Sequence, residues 1–265
     1  MNTPYGVVRD ENPVRQTPRD GHADPMSPTP PYLHPFVLPI EPVEPERTGA
    51  TDWYLPDGGG RAPAVVFIHG GPVPPDLQPR PTGWPVYQAY GTWAARAGLV
   101  GVTFDHGFTD LTALDDAQAD VERAVEAVRG HARVDADRVL LWGFSGGGML
   151  LGRWIASAPG WLRGVAATYP CCRPLEEIPH QQVGMADAVA SAGDLPLLLT
   201  RVGLEREALA QTVAELVDAA QGGAARLDII DVPNGHHGFD HRDDTDESRE
   251  AIRAAMTWVE RTVRG

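Results

Sequence analysis

The residues Gly143-Phe144-Ser145-Gly146-Gly147 set one hydroxyl between two glycines, each two positions away. The apolar run Leu140-Leu141-Trp142 precedes them, and small or apolar residues continue to Leu151. This spacing fits the G-x-S-x-G turn, in which a strand breaks sharply into a helix. A serine hydroxyl can attack only if it projects into open space at a sheet edge, which such a turn provides. The turn brings the backbone on either side of the serine close together, so both flanking positions favour residues without a Cβ. The first N–H groups of the following helix, beginning with Gly146, then face any oxyanion formed on a bound acyl group.

At neutral pH a serine is a weak nucleophile and needs a base oriented by a third group. The partners are expected in the order serine, acid, histidine, each in a loop after a later strand. Asn234-Gly235-His236-His237-Gly238-Phe239-Asp240 follows the apolar run ending near Val232 and offers two histidines as candidate base. Glu205, just past Leu197-Leu198-Leu199-Thr200, is the expected acid, with Glu207 in reserve in the first turn of a helix. Asp228 and Asp231 rank lower, because they lie on or at the end of the next strand. A second oxyanion donor is expected from Phe67-Ile68-His69-Gly70-Gly71-Pro72, where an apolar run stops at backbone that can approach a ligand closely. Gly71 and Gly146 are the expected N–H donors, and His69 is read as a brace for this loop.

With HGGP, GFSGGG and GHHGFD in this order, the chain resembles an α/β-hydrolase over roughly residues 50–265. The histidine loop is similar to that of dienelactone-hydrolase-like members. The resemblance implies His237 as the base beside Ser145, because the family's base stands directly before Gly-Phe; the family's acid is commonly aspartate, where this chain offers Glu205. It also implies a serine hydrolase acting on a carboxylic ester or related acyl compound. Dienelactone hydrolases proper carry cysteine where Ser145 stands. The alternatives are a non-catalytic ligand-binding relative, or the same triad turned to amide cleavage, acyl transfer or cyclisation.

The elements that must position these residues are legible as alternating apolar runs and helical stripes. Strands are expected at 52–55, 64–68, 100–104, 139–144, 164–168, 195–200 and 227–232. Several are almost wholly apolar, as suits parallel strands buried on both faces. Ala117, Val121, Val125 and Val128 form one helical stripe, and Ile252, Met256, Val259 and Val263 form another. A further helix over 206–221 stops at Gly222-Gly223. The fold class is therefore α/β: a mostly parallel sheet with helices on both faces, little or no cap, and a single domain over 46–265. Residues 1–45 hold eleven of the chain's 25 prolines and read as an extended or disordered arm. Its aromatics Tyr32 and Phe36 equally suit wrapping the domain or a second subunit, so a homodimer is compatible.

A net charge of −14 argues against nucleic acid or an anionic membrane as partner. No apolar stretch approaches the roughly 18 residues of a membrane span, and the N-terminal residues lack a signal-peptide pattern. A cytoplasmic protein with a small-molecule ester or acyl substrate and no cofactor is expected. The adjacent Cys171 and Cys172 are not expected to form a structural staple and read as packing, with pocket lining second. The acidic and histidine-rich run 236–244 lacks metal-ligand spacing and reads as a solvated loop. Asp105-His106 suits either pocket lining or an ordinary turn. Trp84, Tyr87, Tyr90 and Trp93 read as helix packing, with a pocket wall second.

Overall fold

A computed structural model of the chain describes residues 29–175, 183–223 and 225–265. Its strands are β1 (Glu46–Thr48), β2 (Thr51–Tyr54), β3 (Ala62–Ile68), β4 (Val100–Phe104), β5 (Val134–Phe144), β6 (Leu162–Thr168), β7 (Pro196–Leu204) and β8 (Arg226–His236). The helices are α1 (Pro85–Arg96), α2 (Leu114–Gly130), α3 (Gly152–Ser157), α4 (Met185–Val189), α5 (Glu207–Gln221), α6 (Phe239–Arg242) and α7 (Asp246–Arg264). The strands form one eight-stranded sheet in the order β1-β2-β4-β3-β5-β6-β7-β8. β1 and β2 pair antiparallel, as do β2 and β4, and every other neighbouring pair is parallel.

Alternation along the central strands divides the core between the two faces of the sheet. Val65 and Phe67 of β3, with Leu140, Trp142 and Phe144 of β5, pack against α1 and α7. Val66, Ile68, Val139 and Leu141 face the other way, toward α2, α3, α4 and α5. Because these residues are buried on both sides, the sequence shows continuous apolar runs rather than alternation. The stripes at 117–128 and 252–263 are the buried faces of α2 and α7. Thr245 caps α7 by accepting the Ser248 N–H, and Asp246 and Glu247 in its first turn complement the helix dipole.

Several elements differ from their expected bounds, among them β5, which begins at Val134 rather than Val139. β1 has no apolar residue and is fully exposed; it exists because a hairpin through Gly49 and Ala50 returns the chain onto β2. β7 and β8 each run four residues beyond their apolar segments, pairing Arg201 with Asp231 and Leu204 with His236. The turn after Phe144 opens as a 3₁₀ segment, Ser145–Leu150, and becomes α-helical only at α3. Residues 29–45 lie along α1: the Val43 N–H donates to Thr92 Oγ1, and the Arg96 guanidinium donates to Glu41 O. The first 28 residues of the proline-rich arm are outside the described residues, as are 176–182 of the stretch considered for a cap. No helix among the described residues is long and apolar enough to cross a membrane.

Candidate active site

β5 delivers Ser145 to the C-terminal edge of the sheet with φ +50°, a left-handed backbone that a non-glycine residue adopts only under constraint. The constraint is close packing on both sides of the turn. A Cβ on Gly143 would lie 2.8 Å from Leu151 Cδ1 and 3.1 Å from Gly147 O. A Cβ on Gly147 would lie 2.5 Å from Ile68 O and 2.6 Å from His69 O, at the end of β3. Thus Gly143 is required by the turn itself, as its spacing implies. Gly147 is required chiefly by the neighbouring strand, which the local sequence does not reveal.

His237 follows the last residue of β8, and Glu205 follows the last residue of β7. The two strands are parallel and pair Leu204 with His236 at their tips. Glu205 and His237 therefore occupy equivalent next positions on adjacent strands, which lie about 4.8 Å apart. The Ser145 hydroxyl lies 2.6 Å from His237 Nε2, and His237 Nδ1 lies 2.5 Å from Glu205 Oε2. The second carboxylate oxygen of Glu205 accepts the Arg206 N–H at 2.8 Å. The Glu205 side chain is 5% exposed and that of His237 22%, so the hydrogen-bonded chain is screened from water at its inner end. Burial raises the Glu205 pKa, but the hydrogen bond and charge of His237, with the Arg206 N–H, outweigh it and hold the carboxyl below its ordinary value.

The other candidates are engaged elsewhere. His236 points outward, its Nδ1 3.1 Å from Asp243 Oδ1. Glu207 is exposed on the first turn of α5. Asp228 accepts from Trp258 Nε1 at 2.6 Å, and Asp231 from Arg201 Nε at 2.6 Å.

The His69-Gly70-Gly71 segment lies against Ser145. A Cβ on Gly70 would be 3.0 Å from Ser145 Cβ, and one on Gly146 would be 2.9 Å from Gly71 N. The Gly70 N–H donates to Tyr87 Oη at 2.9 Å, which leaves Gly71 as the next amide along the segment. His69 braces the loop through Nδ1–H to Gly70 O at 2.6 Å. His106 stacks on it, ring centroids 3.6 Å apart and 8° from parallel. His69 Nε2 accepts the His106 N–H, and His106 Nδ1 accepts the Phe108 N–H, so each ring has a nitrogen that must stay unprotonated. Burial lowers the His106 pKa to about 4 and that of His69 well below its ordinary value, in agreement with these bonds.

Asp105 accepts from both the N–H and the hydroxyl of Thr82 at 3.0 Å, which ties down the loop leading into α1. Cys171 and Cys172 are buried free thiols, and the Cys171 N–H donates to Ser145 O at 2.8 Å. The 236–244 run is not simply a solvated loop. Asp240 is fully buried, whereas Asp244 is exposed. Asp240 is not evident from sequence because the run that follows it, His241 to Asp244, is polar, and its companions Tyr90 and Tyr169 come from distant elements. No group of three histidine, cysteine, aspartate or glutamate residues among the described residues is arranged to hold a metal.

No family model matches the chain. Over 60 residues it is 48% identical to NocK of Nocardia uniformis subsp. tsuyamanensis, a protein provisionally named an esterase; the match spans 22% of this chain and 17% of that one. Solved structures are similar over most of their length. An acetyl ester-xyloside bifunctional hydrolase of Caldicellulosiruptor lactoaceticus superposes with TM-score 0.64 at 16% identity, covering 80% of this chain and 87% of that one. A thermophilic esterase of Thermogutta terrifontis gives 0.62 at 18%, covering 79% and 86%. A protein of Klebsiella pneumoniae provisionally named a dienelactone hydrolase gives 0.61 at 16%, covering 79% and 91%. With the strand order described above, these likenesses give this chain the α/β-hydrolase fold.

Proposed function

We propose that the protein is a serine hydrolase that cleaves a carboxylic ester through an acyl-enzyme. The observation that carries this reading is the unbroken hydrogen-bonded chain from Ser145 through His237 to Glu205. The Glu205 carboxylate holds the proton on His237 Nδ1, leaving Nε2 to accept the Ser145 proton as Oγ attacks the substrate carbonyl. The tetrahedral oxyanion is stabilised by the N–H groups of Gly71 and Gly146, residues whose backbones meet where the two loops approach. His237 then protonates the departing alcohol, and the acyl group stays on Ser145. Water, deprotonated by His237, attacks the acyl-enzyme, and the carboxylic acid leaves as Oγ regains its proton. The esterase names of several structural neighbours and of NocK support the ester reading.

Ser145→Ala should abolish turnover of short p-nitrophenyl esters and labelling by a fluorophosphonate probe. Full activity in that variant overturns the mechanism. Activity on an ester but not on its matched amide supports the ester assignment; the reverse preference makes the protein an amidase using the same triad.

A further inference from the structure

Among the described residues, β8 is the last strand of the sheet and pairs only with β7. A loop that leaves such an edge strand has no neighbouring strand on its outer side to hold it. His237 stands on this loop, where a displacement of about 1 Å can lower a rate about 10²-fold. At the outer surface the loop is held by Arg242 Nη1, which donates to His237 O at 3.2 Å, and by Asp243, which accepts the His236 N–H at 2.6 Å. Both contacts are exposed to water.

The inward hold is of a different kind. Three residues after His237, the Asp240 carboxylate enters the interior with 0% exposure. Tyr169 Oη lies 2.8 Å from Asp240 Oδ1 and 2.9 Å from Oδ2. Tyr90 Oη donates to Oδ2 at 3.1 Å, and His241 Nδ1 lies 3.0 Å from Oδ1. A buried carboxylate is strongly unfavourable unless its oxygens are satisfied, and an apolar side chain would fill such a site at lower cost. Its value here is directional. Tyr90 belongs to α1, and Tyr169 stands at the end of β6, two strands in from the edge. The ring of Tyr169, held at φ +36°, also packs against the His237 imidazole with centroids 4.9 Å apart. One tyrosine thus grips Asp240 by its hydroxyl and backs the imidazole with its ring. The Val37 N–H donates to Asp240 O at 2.9 Å, and Phe36 sits edge-on to Tyr90 at 4.9 Å, so the proline-rich arm covers this cluster.

We propose that Asp240 is a positioning residue for His237, tethering the edge-strand loop to the interior through the Tyr169 and Tyr90 hydroxyls. This rests on the assignment of His237 as the base. The test compares Asp240→Asn, Tyr169→Phe and His237→Ala with wild type, using p-nitrophenyl acetate and active sites counted by fluorophosphonate titration. Asp240→Asn and Tyr169→Phe should each lower kcat per titrated site by about 10- to 10²-fold with KM changed less than about twofold. The rate of fluorophosphonate labelling should fall in parallel. A purely structural role would lower the melting temperature and the number of titratable sites but leave kcat per site unchanged, and that result overturns the proposal. Tyr169→Phe removes a single oxygen and decides the matter if Asp240→Asn does not fold. An active His237→Ala overturns the base assignment itself. An inactive His237→Ala beside a normal Asp240→Asn and Tyr169→Phe overturns only the tether.

Discussion

Replacing Glu205 by glutamine keeps the shape of the side chain and removes its charge, which isolates what that charge does for His237. The contact is 2.5 Å and the carboxylate side chain is 5% exposed, so water screens it poorly. As His237 takes the Ser145 proton, a neutral imidazole beside a carboxylate becomes an imidazolium–carboxylate pair. With charge centres about 4 Å apart and an effective dielectric constant of about 20, that attraction is worth about 4 kcal/mol. At about 1.4 kcal/mol per factor of ten, its loss lowers the rate about 10³-fold. Glutamine can add to the loss by turning its NH₂ toward Nδ1. That orientation leaves the proton on Nε2, facing the Ser145 hydroxyl it should receive from. The assay is kcat/KM for p-nitrophenyl acetate at about pH 8. The loss should fall on kcat, and Glu205→Gln should add little in a His237→Ala background, because residues acting as a unit are not additive. A folded Glu205→Gln variant within about tenfold of wild type would refute the reasoning, since it leaves the ion pair worth less than about 1.4 kcal/mol.

Two further outcomes are expected. His106 has a pKa near 4 in the folded protein against about 6.5 unfolded, so between these values the unfolded chain binds a proton that the native state refuses. Stability should therefore fall as pH drops from about 6.5 toward 4, with a contribution of at most about 3 kcal/mol from this ring. Urea midpoints measured across this window should shift to lower concentration, and His106→Phe, which retains an aromatic ring over His69, should flatten the dependence. Equal pH dependence in the two proteins contradicts the assignment. Gly146→Ala places a Cβ 2.3 Å from Gly71 O, so the nucleophile turn and the His69-Gly70-Gly71 segment must separate. Because this disturbs both proposed oxyanion donors, kcat should fall by about 10²-fold or more; retention of activity within about threefold removes these amides from the mechanism.

The central strands and the α2 and α7 helices are legible because burial on both sheet faces leaves continuous apolar runs and buried helix faces leave stripes. β1 is not legible, since Glu46, Arg47 and Thr48 carry no burial signal and pair only because a hairpin returns them to β2. The tips of β7 and β8 are hidden for a related reason: Arg201–Leu204 and Pro233–His236 are mostly polar or exposed, yet they pair and lead directly into Glu205 and His237. The role of Asp240 is also invisible locally. Its neighbours His241, Asp243 and Asp244 resemble a solvated run, and only α1 and β6 supply the hydroxyls that satisfy it in the interior.

The sequence alone determines the alternation of strand and helix and the order in which serine, acid and histidine appear. It also marks the turn that exposes Ser145, through the glycines on either side. Tertiary structure decides which acid and which histidine meet. Successive residues at a strand end project to opposite sides, so His236 turns outward to Asp243 while His237 turns inward to Ser145. The same pairing sets Glu205, rather than Glu207, beside His237. Spacing along one strand names the candidates, but only register against the neighbouring strand selects among them.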